Sequence, residues 1–171
     1  MIVERAAITY RRLRDPSPSE RRELAGVMAC DGEEDRFEEF VEWLEKEFRD
    51  LDHRSRMYIV AELEAQMVGF VRLWRSPHID EWVIDGIVVS PSHRNVGIGH
   101  SLLLRALDQA ASLCADSVVA HIRKGKAPAI RIHEKAGFRR ETETYRNSYG
   151  EECRDYGWQY RIALPAKDGQ P

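Results

Sequence analysis

At 171 residues the chain has the length of one domain and enough material for a sizeable core. Apolar residues make up 43% and charged residues 32%, which sets it apart from disordered and low-complexity chains. With a net charge of -3 it lacks the basic balance of a nucleic-acid binder, and we expect no nucleic-acid partner. Ile8 to Leu13 reads as a first strand. Asp15-Pro16-Ser17-Pro18 breaks it and can cap a helix running toward Cys30. A stronger helix follows from about Asp35 to Leu51, where Phe37, Phe40, Val41, Leu44, Phe48 and Leu51 share one face of a 3.6-residue period. Met57 to Leu63 and Met67 to Trp74 form a hairpin around Glu64-Ala65-Gln66. Glu81 to Val89 is a third extended run. A long helix spans about Gly97 to Ala115, with Ile98, Leu102, Leu103, Ala106, Leu107 and Ala110 on one side. Val118 to Ile122 is a short strand, and a helix from about Pro128 to Ala136 stops at Gly137. Strands near Phe138 to Tyr145 and Cys153 to Leu164 flank the polar turn Asn147 to Glu152. The order βααβββαβαββ predicts an α/β fold with a mixed sheet, most strands having antiparallel neighbours.

Met1 to Arg5 lacks the apolar run of a secretion signal, and no stretch has the length of a membrane span. Cys30, Cys114 and Cys153 are too scattered for a metal cluster or a disulfide framework. These features predict a cytoplasmic protein with no membrane partner and no metal. One domain covers residues 1–171, with a loose tail over 165–171.

The segment from Val88 to Leu103 carries the chemistry. A buried-type strand enters a polar turn, then Gly97 and Gly99, then a helix. Free backbone N–H groups at such a junction form an anion site. Glycine lets a phosphate approach the backbone, and Asn95 tolerates a left-handed conformation. No Gly-Lys-Ser/Thr follows, so this is not a nucleotide P-loop. Local geometry leaves both phosphate binding and plain packing open.

Arg94-x-x-Gly97-x-Gly99, after Val88-Val89 and Pro91, resembles the pyrophosphate loop of the GNAT acetyltransferases. Ala129-Ile130-Arg131-Ile132-His133-Glu134-Lys135-Ala136-Gly137-Phe138 is similar to that superfamily's second motif, and Ala61 to Leu73 to its β2–β3 hairpin. The resemblance covers about Met57 to Leu164, in the family's order. It implies a GNAT-like acyl-CoA N-acyltransferase fold, with acetyl-CoA as co-substrate and direct acetyl transfer to a primary amine in a ternary complex. The acceptor would be a small molecule or a peptide, and a homodimer is compatible with the family. The coenzyme would lie on backbone of Ile87, Val88 and Val89 and in the loop Arg94, Asn95, Val96, Gly97, Ile98, Gly99 and His100. N–H groups near Val88 would polarise the thioester carbonyl. The chain departs from the motif at Lys126, where Asn is common, and at His133, where Tyr is common. Lys126 is retained as a coenzyme contact. A non-catalytic acyl-CoA-binding or regulatory module is the alternative reading.

Only about one lysine-like amine in 10³ is neutral at pH 7, so a base helps. Asp85, and after it Glu81, are the candidates, on a strand face expected to hold Val83, Ile87 and Val89 as well. Asp85-Gly86 also has the local signature of a hairpin turn, although the motif order favours a continuous strand. His133 is the candidate acid facing the leaving sulfur, with core packing as its other reading. Residues 31–52 hold eleven acids against three bases, either a solvated face or a wall favouring a cationic acceptor. Tyr145, Tyr149, Tyr156, Trp158 and Tyr160 are expected to pack the last two strands.

Overall fold

Local signals fix the helix ends. In the computed structural model, which describes residues 7–50 and 52–165, the Ser17 hydroxyl accepts the Glu20 N–H at 3.2 Å. The Glu20 carboxylate in turn accepts the Ser17 N–H at 2.8 Å. This capping box starts α1 (Pro18–Ala29), which follows β1 (Thr9–Leu13). A 3₁₀ turn, Glu34–Arg36, leads into α2 (Phe37–Arg49), so the helix begins two residues later than its periodicity suggests. Leu51, the start at Met1 to Arg5, and the tail beyond Pro165 lie outside the described residues.

β2 (Arg56–Leu63) and β3 (Gln66–Ser76) pair antiparallel through Glu64 and Ala65, with φ of 50° and 65°. Two left-handed residues make a two-residue hairpin loop, and Gln66 joins the strand instead of the turn. β4 (Glu81–Val89) leads through a short 3₁₀ turn to α3 (Ile98–Ser112) and β5 (Ser117–Arg123). α4 (Ala127–Lys135), β6 (Arg139–Arg146) and β7 (Glu152–Ala163) complete the expected order. α4 ends at Gly137, φ 103°, where Phe138 N–H reaches His133 O and Gly137 N–H reaches Glu134 O.

The strands form one sheet in the order β1-β2-β3-β4-β5-β7-β6, antiparallel throughout except for β4 beside β5. Each face buries a separate core. On one side α3 lays Ile98, Leu102, Leu103, Ala106 and Ala110 against Met57, Ile59, Val71 and Leu73. On the other, Leu24 of α1 and Val41 and Leu44 of α2 cover Tyr58, Val60 and Phe70. Each fully buried leucine contributes roughly 1.5–3 kcal/mol.

Two irregularities in β4 make the site. Its pairing with β5 lasts only through Val83↔Val119 and Ile84↔Ala120, after which the strands part. Against β3, the register slips between Val71 and Leu73, so Asp85 and Gly86 together oppose Arg72. Asp85-Gly86 is therefore a bulge inside a continuous strand, with Gly86 at φ 114°, and not a hairpin tip. The extra residue flips the alternation. Trp82 and Ile84 face the α3 core, and so do Ile87 and Val89, while Val88 packs on the α1–α2 side. Asp85 and Glu81 thus do not share a face with Ile87 and Val89 as the simple period predicts.

Candidate functional site

The parted strands open a cleft of about 840 Å³ between β4, β5, α3 and α4. Ile87, Val88 and Val89 pair with β3 on one edge only. Their other backbone edge faces the cleft and, apart from Val89 O, which Arg94 holds, can bind an extended amide chain as an added strand would. At the far end Asn95 (φ 64°) and Gly97 (φ 92°) turn the chain into α3, whose first N–H groups have no partner within the helix. A Cβ built on Gly97 would meet nothing within 4 Å, so the glycine is there for its backbone angle. Arg94, Asn95, Gly97, Ile98, Gly99, His100 and Lys126 all line the cleft. Val96 does not; it is 68% exposed.

Arg94 donates from Nε to Val89 O at 2.9 Å and from Nη2 to Asp31 at 3.0 Å. Lys126 Nζ lies 3.5 Å from the other oxygen of Asp31. One carboxylate thus gathers two cations at the cleft mouth, where coenzyme phosphates could be held. The fit to acyl-CoA is also visible in the cleft's polar atoms. His100 Nε2 and His133 Nε2 are buried without a partner on residues lining the cleft, polar atoms available to an amide-bearing ligand.

On the other face of β4 lies a second pocket of about 480 Å³, walled by Phe40 and Trp43 of α2, Phe70, and Tyr149 from the β6–β7 turn. Gly86 and Val88 line both hollows, so the two meet at the bulge. The pocket's charges are paired. Arg36 holds Glu33 and Glu39. Arg72, only 4% exposed, binds Asp85 and donates to Glu47 at 2.8 and 3.2 Å. Neighbouring anions, Glu47 and Asp85 among them, outweigh the desolvation that would lower the Arg72 pKa, and hold it above the usual arginine value.

These facts revise several expectations. Glu81 lines neither hollow; it is bound by Arg161 at 2.9 and 3.1 Å. Asp85 reaches the second pocket, but its carboxylate is already bound by the buried Arg72 guanidinium. Of the acids on α2, Glu39 lines the pocket, while Glu38, Glu42 and Glu45 are exposed, so most of the acidic run is a solvated face. Tyr149 leaves the packing cluster to form the pocket wall, 5.2 Å from the Trp74 ring.

His133 faces inward, 2% exposed, with its ring edge-on to Phe138 at 5.0 Å. Nδ1 lies 2.8 Å from Ala129 O. A carbonyl can only accept, so Nδ1 carries the proton and Nε2 keeps a lone pair. Burial also pushes the His133 pKa below the ordinary value. A neutral imidazole with its one N–H committed accepts at Nε2, which argues against the acid role expected of it.

His121 escaped the sequence reading. It lies on β5, and the pairing Val83↔Val119 puts it on the Asp85 face, across the opening where the strands part. It lines the large cleft, with its ring stacked on Tyr145 at 4.4 Å and 6°. A histidine within Val118-Val119-Ala120-His121-Ile122, and an arginine within Phe70-Val71-Arg72-Leu73, are polar breaks in apolar strands. Those breaks were the available signal.

Comparison with known proteins agrees with this geometry. The Acetyltransferase (GNAT) family model matches residues 21–138. The phosphinothricin N-acetyltransferase of Streptomyces viridochromogenes is 29% identical over 102 residues, 57% of this chain and 54% of that protein. The spermidine N(1)-acetyltransferase of Vibrio cholerae is 24% identical over 60% of this chain and 58% of its own. The chain thus spans about half the length of the curated relatives it matches. Among solved structures, yncA from Salmonella typhimurium, determined with acetyl-CoA, superimposes with a TM-score of 0.68 at 19% identity, covering 97% of this chain and 99% of the other.

Proposed function

The chain belongs to the GNAT acetyltransferase family, and from that premise we propose that it moves an acetyl group from acetyl-CoA to the primary amine of a small molecule. The observation that carries this reading is the meeting of the two hollows at Gly86 and Val88. A long groove with cationic and N–H groups at one end suits a phosphorylated, amide-bearing coenzyme. A short aromatic pocket on the opposite face of the same strand suits an amine. Two reactants held on either side of one bulge have their reacting atoms brought together directly, which favours a ternary complex over a covalent acyl-enzyme.

Arg94, Lys126 and the start of α3 would hold the coenzyme phosphates, and the free edge of Ile87 to Val89 the amide arm. Acetyl-CoA supplies the activated acetyl thioester. Backbone N–H groups near Val88 would polarise its carbonyl, being fixed before charge develops there. Asp85, with the faces of Trp43 and Tyr149, would draw an ammonium group into the second pocket. Because Asp85 shares its charge with Arg72 and the other charges there are mutually paired, the acceptor that fits is an amine on an apolar body, in preference to a long polycation.

The test is release of free coenzyme A from acetyl-CoA across a panel of amines: tryptamine, phenethylamine, phosphinothricin, L-methionine sulfone and spermidine. Turnover with the arylalkylamines ahead of spermidine supports the reading. Tight acetyl-CoA binding by calorimetry without turnover of any amine would make the chain a non-catalytic acyl-CoA-binding module.

A further inference from the structure

We propose that His121 is the general base that takes the proton from the acceptor ammonium. The proposal rests on the acetyl-transfer reading above and assigns a residue to it.

A chain of hydrogen bonds runs across the sheet face. Glu141 Oε2 accepts from Gln159 Nε2 at 2.7 Å. A carboxylate can only accept, so this contact turns the Gln159 amide with its oxygen toward His121. Gln159 Oε1 lies 3.0 Å from His121 Nε2. That oxygen also can only accept, so Nε2 carries the hydrogen and Nδ1 keeps the lone pair. Nδ1 has no hydrogen-bond partner among the described residues. The ring cannot swing away, because it lies flat on Tyr145 at 4.4 Å. Glu141, Gln159 and Tyr145 together hold one tautomer in one orientation. A general base needs both conditions.

Position supports the same role. His121 lines the coenzyme cleft where β4 and β5 part, on the face that carries Asp85 and the amine pocket. The groups facing it have been assigned elsewhere. From β4, Asp85 is bound by Arg72 and Glu81 by Arg161. From β7 come Gln159 and Arg161, the latter also bound to Glu141 of β6. Tyr145 supplies a ring face, and Arg123 is the next residue on this face of β5 itself. With the carboxylates neutralised by arginines, burial governs the imidazole and moves its pKa below the ordinary histidine value. His121 is then neutral, and able to accept, throughout the neutral range.

His121 Nδ1 takes one proton from the R–NH₃⁺ group, directly or through one water. The freed nitrogen lone pair forms the C–N bond to the thioester carbonyl carbon, and the C–S bond breaks. Sulfur leaves with its electron pair and takes up the second nitrogen proton, giving the acetamide and free coenzyme A. The imidazolium returns its proton to water.

The experiment combines kinetics and nitrogen-15 NMR. With the panel amine turned over fastest, wild-type kcat/KM should fall as pH drops through a pKa below about 6.5. His121→Gln should lower kcat about 10²-fold, erase that acidic limb and leave KM for acetyl-CoA unchanged. Gln159→Leu keeps the imidazole but frees its tautomer, and should lower kcat about 10-fold. Asp85→Asn should keep the limb and raise KM for the amine. Imidazole nitrogen shifts of the full chain, read without any amine, should show the Nε2–H tautomer of His121. An acidic limb surviving in His121→Gln, or an Nδ1–H tautomer, would overturn the assignment. Failure of every amine to release coenzyme A strikes at the acetyl-transfer reading instead, while the NMR result still decides the tautomer.

Discussion

Replacing Arg72 by methionine tests whether the buried ion cluster beneath the aromatic pocket has the energetic weight its geometry implies. The guanidinium makes two hydrogen bonds to Glu47 and one to Asp85, and lies over the rings of Trp74 at 4.8 Å and Trp43 at 5.4 Å. Removing one partner of a buried pair costs about 3–5 kcal/mol, mostly because the remaining charge stays buried. Here the remaining charge is Glu47, whose side chain is 7% exposed. It keeps Arg56 at 2.6 Å and the Tyr58 hydroxyl at 3.1 Å, so it is not stranded. Asp85 is 27% exposed and can turn to water. Methionine restores some apolar packing. The loss should therefore lie near the lower bound, about 3 kcal/mol, or roughly 6–12 °C in Tm for a chain of this length. Urea unfolding followed by circular dichroism measures it. In a cycle with Glu47→Leu, the double variant should be about 2 kcal/mol more stable than additivity predicts. A single-variant loss below about 1 kcal/mol with additive behaviour would show that Arg72 and Glu47 do not depend on each other.

Three other outcomes are expected. Gly97→Val puts a β-branched residue at φ 92°, so acetyl-CoA binding measured by calorimetry should weaken at least tenfold in a folded protein; unchanged affinity would remove the loop from the site. Gly157→Ala puts a Cβ 2.5 Å from the Ile122 carbonyl oxygen and 3.0 Å from Arg123 Cα, both backbone atoms. It should cost about 1–3 kcal/mol by prising β5 from β7, and a wild-type Tm would contradict that contact. Burial holds the pKa values of His133 and His121 below the ordinary histidine value, so the unfolded chain binds more protons between the two states' pKa values. Their contribution is complete above about pH 6.5 and is lost as pH falls toward the folded pKa values. His133→Phe should flatten the acid side of a Tm-against-pH curve, and an unchanged slope would refute it.

The element order and the glycine turn into α3 were legible because they depend on local signals. Apolar periodicity marks α2 and α3, and Gly97 and Gly137 mark positions where the backbone must turn left-handed. The family resemblance then tied these signals to one fold. The catalytic face was less legible, because it depends on a strand's phase. Counting by twos along β4 puts Asp85 with Ile87 and Val89, and a single bulged residue reverses that. The hydrogen-bonded setting of His121 depends on Gln159 and Glu141, 38 and 20 residues away in sequence, and strand pairing alone unites them. Tyr149 looked like one aromatic among several, and the β6–β7 turn carries it to the pocket wall.

The bulge at Asp85-Gly86 also bears on how this chain can change. Before it, odd-numbered positions look toward the α1–α2 side and its aromatic pocket; after it, even-numbered ones do, and the α3 side takes the remainder. One nine-residue strand therefore holds two independently editable walls. On the proposed reading, acceptor preference would drift through Asp85 and Val88 while Ile87 and Val89 kept the coenzyme contact, and the reverse would also hold. Length is what this stretch cannot vary. Deleting Gly86 would leave Ile87 through Val89 chemically intact but turn each inside out, moving the residues of the large cleft to the aromatic pocket. Divergence among such chains should accordingly accumulate as substitutions in β4, with insertions and deletions confined to the loops on either side.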